Sequence, residues 1–238
     1  MCILEENRSQ RLGIFAFYDA YGIVDGYVKK LLEGLLPELS KLVIVINGGI
    51  TFDSKQKLDR YTKNIFIRDN VGFDAGAYKD AFIKFLADEN WEKWDEVVLF
   101  NDTFYAPIFP WRPVFDKMEN QKEISFWGLS RYPGKRRNGE GLDYPSHIQS
   151  YFWVCRKKLI LSHSFWKFWN TLEYPLSRRK ATENFEIKLT TFFAQEKYTW
   201  MAYTDLFDNQ IILQCEGSPY IDYACELLRE LQFPVIKR

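Results

Sequence analysis

Through the first hundred residues of the chain, short apolar runs alternate with segments in which apolar residues recur at helical spacing. Four of the runs are rich in β-branched and aromatic residues and close on polar residues or glycine, as buried strands do. Between them, three segments repeat apolar side chains every three or four positions, which is typical of amphipathic helices. The strand-like runs are 12–19, 41–48, 64–70 and 95–102, and the helix-like segments are 24–36, 54–61 and 74–88.

This alternation predicts an α/β fold. Strand-helix-strand units in series give a Rossmann-type, mostly parallel sheet with right-handed crossovers and helices on both faces. In such sheets ligands bind at the carboxyl ends of the strands. We therefore expect the residues just beyond the first four strands to form the functional site.

Beyond Phe109 the alternation weakens. Two further strands are predicted, within 123–130 and 149–156, and the long glycine-containing loop 131–147 between them is expected to be mobile. Helical patterns follow, and Thr182 is the expected N-cap of one of these helices. A loop with a short helix is predicted over 109–118, and the predicted helices after it are 159–172, 182–196 and 221–231. Without an internal repeat or a low-complexity linker, the chain is expected to be one domain, 1–238, with a C-terminal subregion.

The composition narrows the class of protein. The 32 lysines and arginines balance 32 aspartates and glutamates, so no long-range field favours a nucleic-acid partner. Four cysteines without CxxC spacing and only two histidines argue against structural zinc and a disulfide framework. We expect a cytoplasmic chain, since no apolar stretch approaches the length of a membrane span. The 18% aromatic content exceeds ordinary core needs, and aromatic faces beyond those of the core would suit sugar rings, bases or protein partners.

The residues that follow the four predicted strands are small or polar. At one edge of a sheet they would form a crevice that suits a nucleotide. These residues are Asp19, Tyr21 and Gly22 after the first strand, 47–49 after the second, 68–76 after the third, and 101–103 after the fourth.

Two of these strand ends carry specific candidates with open alternatives. Asp102 can share a magnesium or manganese ion with a diphosphate, or it can belong to a simple Asx-turn. In the stretch 68–82, two glycines allow close backbone approach, and Arg68 and Lys79 could meet phosphate charge. Asp74 can cap the following helix or bind a sugar hydroxyl, and the alternative for the whole stretch is a capped corner with a solvated arginine.

Carboxylates on the late helix are the candidates for a general base. Glu183 and Glu186 lie one turn apart on the predicted helix, so either could project toward the crevice. The alternative is that both face solvent, as most glutamates do. Neither His147 nor His163 has a partner visible in the sequence.

Several ordered segments spread over nearly the whole chain resemble the rhamnan synthesis protein F family. They are RLGIFAFYDAYGIVDGYVKKLLEGL (11–35), IRDNVGFDAGAYKDAF (67–82), VVLFNDTFYAPIFPW (97–111), FWGLS (126–130) and FEIKLT (185–190). The resemblance implies a GT-A-like glycosyltransferase of bacterial cell-surface polysaccharide assembly, with dTDP-rhamnose as the sugar donor. It divides the domain into a nucleotide-sugar-binding half, 1–109, and an acceptor-side half, 110–238.

The resemblance also implies roles for individual residues. Glu186 is the expected base, and Asp102 is expected in catalysis and as the ligand of Mg²⁺ or Mn²⁺. Only Asp102 is acidic in the Asn101-Asp102-Thr103 stretch, so metal binding could be weak, could use one carboxylate or could be absent. The expected donor-binding residues are Asp19, Asn47, Arg68, Asn70, Gly72, Asp74, Gly76 and Asn101, and the expected acceptor-binding residues are Trp111, Trp127 and His147.

The leading hypothesis is an inverting sugar transfer in which the loop 131–147 closes to exclude water. A lipid-linked or polysaccharide acceptor would bring the enzyme to the inner face of the plasma membrane as a peripheral protein. The alternative from another class is a catalytically silent nucleotide-sugar- or glycan-binding subunit of an assembly complex. A phosphotransferase is disfavoured because the sequence has no GxxxxGK[ST] loop.

Overall fold

The computed structural model describes residues 8–132, 134, 145–204, 220 and 223–238. Most of the predicted closing loop, 135–144, and the basic cluster 135–137 within it lie outside these residues.

A parallel sheet forms the first half of the chain, as the alternation predicts. Its strands lie in the order β3-β2-β1-β4, and all three neighbouring pairs are parallel. The bounds are β1 Arg11–Phe17, β2 Lys41–Asn47, β3 Ile65–Arg68 and β4 Glu96–Asn101. The predicted α/β class, with a mostly parallel Rossmann-type sheet, is confirmed.

The second half extends the same sheet beyond β4. β8 (Phe152–Arg156) pairs antiparallel with both β4 and β6 (Phe126–Tyr132). β6 also pairs antiparallel with β7 (His147–Ile148) and parallel with β9 (Trp200–Thr204), which completes eight strands. The two strands predicted here are confirmed, whereas β7 and β9 were not predicted.

A small second sheet brings the last described residues back to the end of β4. β5 (Phe104–Tyr105) pairs antiparallel with β10 (Ile236–Lys237). This pairing joins positions more than a hundred residues apart, and periodicity along the chain gives no indication of it.

Helices cover both faces of the large sheet. Along β1 the side chains alternate between the two cores: Phe15 and Phe17 pack on one face with α1, whereas Ile14 and Ala16 pack on the other with α3. The helices are α1 Gly26–Leu35, α2 Phe52–Leu58, α3 Phe73–Asp80, α4 Arg112–Glu119, α5 Lys157–Ile160, α6 His163–Thr171, α7 Arg178–Ala181, α8 Lys188–Gln195 and α9 Ala224–Leu231.

Two helix predictions need correction. The segment 159–172 is broken into α5 and α6, because the Ser162 hydroxyl accepts a hydrogen bond from Phe165 N (3.1 Å) and starts a new helix. Thr182 is not an N-cap, because the helix begins a turn earlier, where the Ser177 hydroxyl accepts from Lys180 N (3.2 Å). From α7 the helix continues through a π-helical segment, Thr182–Ile187, into α8.

Across the described ranges, no helix combines the length and apolar character that crossing a bilayer requires.

Candidate active site

A cleft of about 740 Å³ opens at the carboxyl edge of the parallel strands. β1 lies between β2 and β4, so the strand order reverses at β1. Ligands of open α/β sheets bind at such a topological switch point. The strand ends, the π-helical segment and β10 all contribute side chains. The lining residues are 16–20, Asn47, Asn70, Phe73, Asp74, 101–103, Ser150, Tyr151, Arg178, 181–182, Phe185, Glu186, Lys237 and Arg238.

The structure brings seven of the predicted site residues to this cleft and places six elsewhere. Asp19, Asn47, Asn70, Asp74, Asn101, Asp102 and Glu186 line it. Arg68, Gly72, Gly76, Trp111, Trp127 and His147 are not among its lining residues.

The two predicted donor-binding glycines shape the corner between β3 and α3. Gly72 has a left-handed φ of +79°, and a Cβ there would lie 3.0 Å from the Tyr174 ring. A Cβ on Gly76 would lie 2.1 Å from the carbonyl oxygen of Val71, so only glycine fits. These glycines set the course of the backbone behind the cleft.

Phe73, next to Gly72, also lines the cleft. Its φ of +56° is a conformation that a side chain rarely adopts, and the Asn47 side-chain amide donates to its carbonyl oxygen at 3.0 Å. Asn47 therefore holds the corner from the end of β2 while it lines the cleft itself.

Arg68 does not face the cleft, which corrects its predicted place beside a diphosphate. Its Nε donates to the buried Asp80 carboxylate at 2.6 Å, and its two terminal nitrogens donate to Asn47 Oδ1 (2.5 Å) and Val71 O (2.7 Å). The side chain is 8% exposed. Its donors are used to fix the corner.

The ends of β4 and α3 are joined by two polar side chains of the cleft. Asn101 Nδ2 donates to Asp74 Oδ2 at 3.0 Å, and Asp74 Oδ1 accepts from Ala75 N at 2.9 Å. Burial raises the pKa of Asp74 above its ordinary value, although these two hydrogen bonds oppose the rise. Gly72, not Asp74, occupies the N-cap position of α3.

The loop after β1 is built around Asp19. One carboxylate oxygen, Oδ1, accepts hydrogen bonds from Tyr21 N and Ile23 N, both at 2.9 Å. This arrangement holds the loop at the cleft rim and leaves Oδ2 outside these two bonds.

Asp102 carries the predicted metal-binding role, and its surroundings do not form a cation site. Its Oδ2 accepts from the Tyr27 hydroxyl at 2.9 Å and lies 3.5 Å from Arg238 Nη1. No cluster of three histidine, cysteine or acidic side chains able to hold a metal occurs in the described part of the chain. A carboxylate already paired with a guanidinium offers little net negative charge to a divalent cation.

Glu186 is held in the cleft by three polar contacts. Oε2 accepts from Ser150 N (2.9 Å) and the Ser150 hydroxyl (2.6 Å), and Oε1 lies 3.4 Å from His147 Nε2. Burial opposes ionisation, but the bonds from His147 and Ser150 keep the pKa of Glu186 below its ordinary value. The side chain is 23% exposed, so a ligand in the cleft can reach the carboxylate.

Ser150 reaches Glu186 from a bulge between β7 and β8, where the chain leaves its regular pairing with β6. On β6, the carbonyl oxygen of Ser130 accepts a hydrogen bond from Gln149 N, and Gly128 pairs with Trp153. Between these two contacts, the single β6 residue at position 129 lies opposite the three residues 150–152. Bulges of this kind redirect side chains beside active sites. Sequence reasoning could not predict the bulge, since the segment 149–156 reads as an unbroken strand.

The predicted acceptor-binding residues need correction. Trp111 is 2% exposed and stacks on Phe152 with 5.0 Å between ring centroids, and Trp127 is fully buried in the same core. Neither indole presents a face to a sugar. His147 is 2% exposed and lies behind Glu186, with its Nδ1 at 2.7 Å from Pro145 O.

Three cations in the cleft, Arg178, Lys237 and Arg238, were missed by sequence reasoning. Lys237 and Arg238 arrive on β10, and Lys237 Nζ lies 4.3 Å from the centre of the Tyr151 ring. Burial lowers the pKa of Lys237, while the carboxylates of Glu186 and Asp74 raise it in part. Two adjacent basic residues form no sequence motif that would mark them as part of a site.

Comparison with known families finds a match over most of the chain. Residues 42–238 match the sequence profile of RgpF, rhamnan synthesis protein F. The chain belongs to the rhamnan synthesis protein F family. The family match includes the strand ends 47–49, 68–76 and 101–103, the π-helical segment that carries Glu186, and β10.

A curated relative of this rhamnan synthesis protein F family chain is a protein of Sinorhizobium fredii described as uncharacterized protein y4gN. The two are 24% identical over 189 residues, which is 78% of this chain and 46% of the relative. The chain therefore spans about half the length of the curated relative that it matches.

Solved structures that resemble the chain share little sequence with it. A 4-diphosphocytidyl-2C-methyl-D-erythritol synthase of Anaerococcus prevotii has a TM-score of 0.47 at 15% identity and covers 82% of this chain and 87% of its own. A glucosyl-3-phosphoglycerate synthase of Mycobacterium tuberculosis, solved with Mn²⁺, UDP-glucose and phosphoglyceric acid, has a TM-score of 0.40 at 14% identity, with 63% and 58% covered.

Proposed function

We propose that the chain is a glycosyltransferase that moves a sugar from a nucleotide-diphospho-sugar to a growing cell-surface polysaccharide with inversion of configuration. The donor is a dTDP-rhamnose-like nucleotide sugar, in keeping with the family. The acceptor is a polysaccharide or a lipid-linked glycan, which would bring the protein to the inner face of the plasma membrane as a peripheral enzyme. The single domain proposed, 1–238, would hold both substrates.

The observation that carries this proposal is the position of Glu186. An ionised, partly exposed carboxylate shares one cleft with the polar ends of β1, β2 and β4. The strand ends suit a nucleotide, and the carboxylate suits an acceptor hydroxyl beside it. A site built only to hold a nucleotide has no need of a carboxylate fixed by three contacts.

In the proposed reaction the acceptor oxygen attacks the anomeric carbon from the face opposite the diphosphate. The bond from that carbon to the diphosphate oxygen breaks, and the nucleoside diphosphate leaves with the electron pair. The acceptor proton passes to a carboxylate oxygen of Glu186. Because the pKa of Glu186 is low, the carboxylate does not remove the proton from a free hydroxyl. The proton moves while the new bond forms, since bond formation makes the hydroxyl acidic.

The donor side of the cleft is assigned by hydrogen-bonding capacity. Asp19 Oδ2 and the Asp74 carboxylate are the acceptors best placed for ribose or sugar hydroxyls, and Asn70 lies exposed at the rim. Asp102 positions the Tyr27 hydroxyl and Arg238, both of which it contacts. The predicted Mg²⁺ or Mn²⁺ has no step in this proposal, because Asp102 alone does not make a site for it.

A thermal-shift and calorimetric panel of nucleotide sugars tests donor binding. We expect dTDP-rhamnose, or another dTDP-sugar, to raise the melting temperature of the wild-type protein and to bind more tightly than thymidine. Asp74→Asn should weaken binding of the nucleotide sugar, whereas Asp116→Asn, on the surface of α4, should not. If no nucleotide sugar shifts the melting temperature, the proposed function is wrong.

One observation favours a second candidate function, a catalytically silent binding subunit of a polysaccharide assembly complex. The only carboxylate of the Asn101-Asp102-Thr103 stretch is occupied by Tyr27 and Arg238. Such a subunit would bind a nucleotide sugar but would not release nucleoside diphosphate from it. Measuring that release separates the two functions.

A further inference from the structure

The C-terminal strand places two cations at the end of β4. Lys237 pairs with Phe104 in the β5-β10 sheet, and Arg238 N donates to Thr103 O at 3.0 Å. These backbone contacts fix the two residues beside Asp102, where the predicted metal ion would have been bound.

The Lys237 ammonium is available to a ligand. It lies over the Tyr151 ring, and its hydrogen-bond contact among the described residues is a long one of 3.4 Å with the Thr103 hydroxyl. In the described ranges no carboxylate lies within 4.0 Å of it, although those of Asp74 and Glu186 line the same cleft. A charge held in a cleft without a close counter-ion is suited to an anionic ligand.

Arg238 is oriented by two side chains and remains accessible. Its guanidinium lies 4.8 Å from the centre of the Tyr27 ring, and Nη1 lies 3.5 Å from Asp102 Oδ2. The side chain is 45% exposed. Asp102 and Tyr27 thus position a planar group whose remaining donors can face an oxyanion.

We propose that Lys237 and Arg238 bind the diphosphate of the donor and neutralise its charge as it leaves, in the place where a protein-bound divalent cation was predicted. This inference rests on the proposed function, since it names the residues that bind the diphosphate of the same nucleotide-sugar donor. An ammonium and a guanidinium together can offset the charge of a departing nucleoside diphosphate without a metal.

The inference is tested by calorimetry in EDTA with nucleoside diphosphates (dTDP, UDP, GDP and CDP) and their nucleosides. The variants are Lys237→Met, Lys237→Arg and Arg238→Gln. The matched control is Lys117→Met, because Lys117 also lies over a tyrosine ring, that of Tyr203 at 4.5 Å, but outside the cleft. Melting temperatures confirm that each variant is folded.

We expect the wild-type protein to bind its diphosphate equally well with EDTA and with Mn²⁺. Lys237→Met and Arg238→Gln should each weaken diphosphate binding by about tenfold to a hundredfold, the loss typical of a charged hydrogen bond, and leave nucleoside binding unchanged. Lys237→Arg should keep most of the affinity, and Lys117→Met all of it.

Two results would overturn the inference while leaving the proposed function intact. One is a diphosphate that binds the wild-type protein only when Mn²⁺ is present. The other is a folded Lys237→Met variant that binds the diphosphate as tightly as the wild type does. If the wild-type protein binds none of the diphosphates and none of the nucleotide sugars, the proposed function fails, and the inference fails with it.

Discussion

The carboxylate of Glu186 accepts two hydrogen bonds from one residue, Ser150, through its backbone nitrogen at 2.9 Å and its hydroxyl at 2.6 Å. The two residues come from different elements, a π-helical segment and the bulge between β7 and β8. The bulge therefore orients the one carboxylate to which the proposal gives the acceptor proton, and together with His147 it favours the ionised form.

Replacing the serine hydroxyl should change the pH dependence of turnover. In Ser150→Ala one donor that lowers the pKa of Glu186 is lost, so the pKa rises. A base must be ionised to act, and the acid limb of the kcat/KM profile should move to higher pH. The matched control is Ser164→Ala, whose hydroxyl donates to Glu196 at 2.9 Å on the surface. An unchanged profile for Ser150→Ala would show that Glu186 is not the group that titrates.

The buried ion pair at the β3-α3 corner should govern stability in acid. Burial opposes ionisation of Asp80, but hydrogen bonds from Lys84, Tyr174 and Arg68 keep its pKa below the ordinary value. The stability that this pair adds is present above the unfolded pKa and is lost as the pH falls through the folded pKa. Asp80→Asn should lower the free energy of unfolding by about 3 kcal/mol at neutral pH, and by less in acid.

Urea denaturation of Asp80→Asn at neutral and acidic pH measures this difference. The control is Asp116→Asn, since Asp116 pairs with Arg112 at 2.7 Å on the surface of α4 and should cost only about 0.5 kcal/mol. Equal effects of the two substitutions at neutral pH would mean that the Asp80 cluster does not stabilise the corner.

Substitution of a buried tryptophan should affect stability and not acceptor binding. Trp127 is fully buried and meets Phe115 edge to face at 5.6 Å. Trp127→Phe should lower the free energy of unfolding by about 2 kcal/mol because it leaves a cavity. The KM for the acceptor should not change. A raised KM with unchanged stability would restore the acceptor-stacking role that the sequence suggested.

The first half of the fold could be predicted because its signals are local. Each of the strands β1 to β4, and each helix between them, has its own hydrophobic period and length within one segment of sequence. Their parallel order then places the polar residues after the strands at one edge of the sheet. The same logic identified Asp74 and Asp102 as residues of this edge, whereas Glu186 was singled out as the base by the resemblance of its segment to the rhamnan synthesis protein F family.

The parts that could not be predicted depend on contacts between distant segments. Lys237 meets Thr103 only through the pairing of β5 with β10, and Ser150 meets Glu186 only through a bulge. Arg68 is an ordinary exposed-looking arginine in sequence, and only the fold gives it Asp80 as a partner. An apolar run likewise does not distinguish a core indole from a surface one, as with Trp127.

The most direct test of the proposed function is nucleoside diphosphate release from a nucleotide sugar by Glu186→Gln, measured beside the wild type. Glu183→Gln is the matched control, since Glu183 lies one turn away and pairs with Arg179 and Lys180 at the surface. We predict that Glu186→Gln binds the donor normally but turns it over about 10² to 10⁴ times more slowly, while Glu183→Gln behaves as the wild type. Equal turnover by Glu186→Gln and the wild type would contradict the proposal.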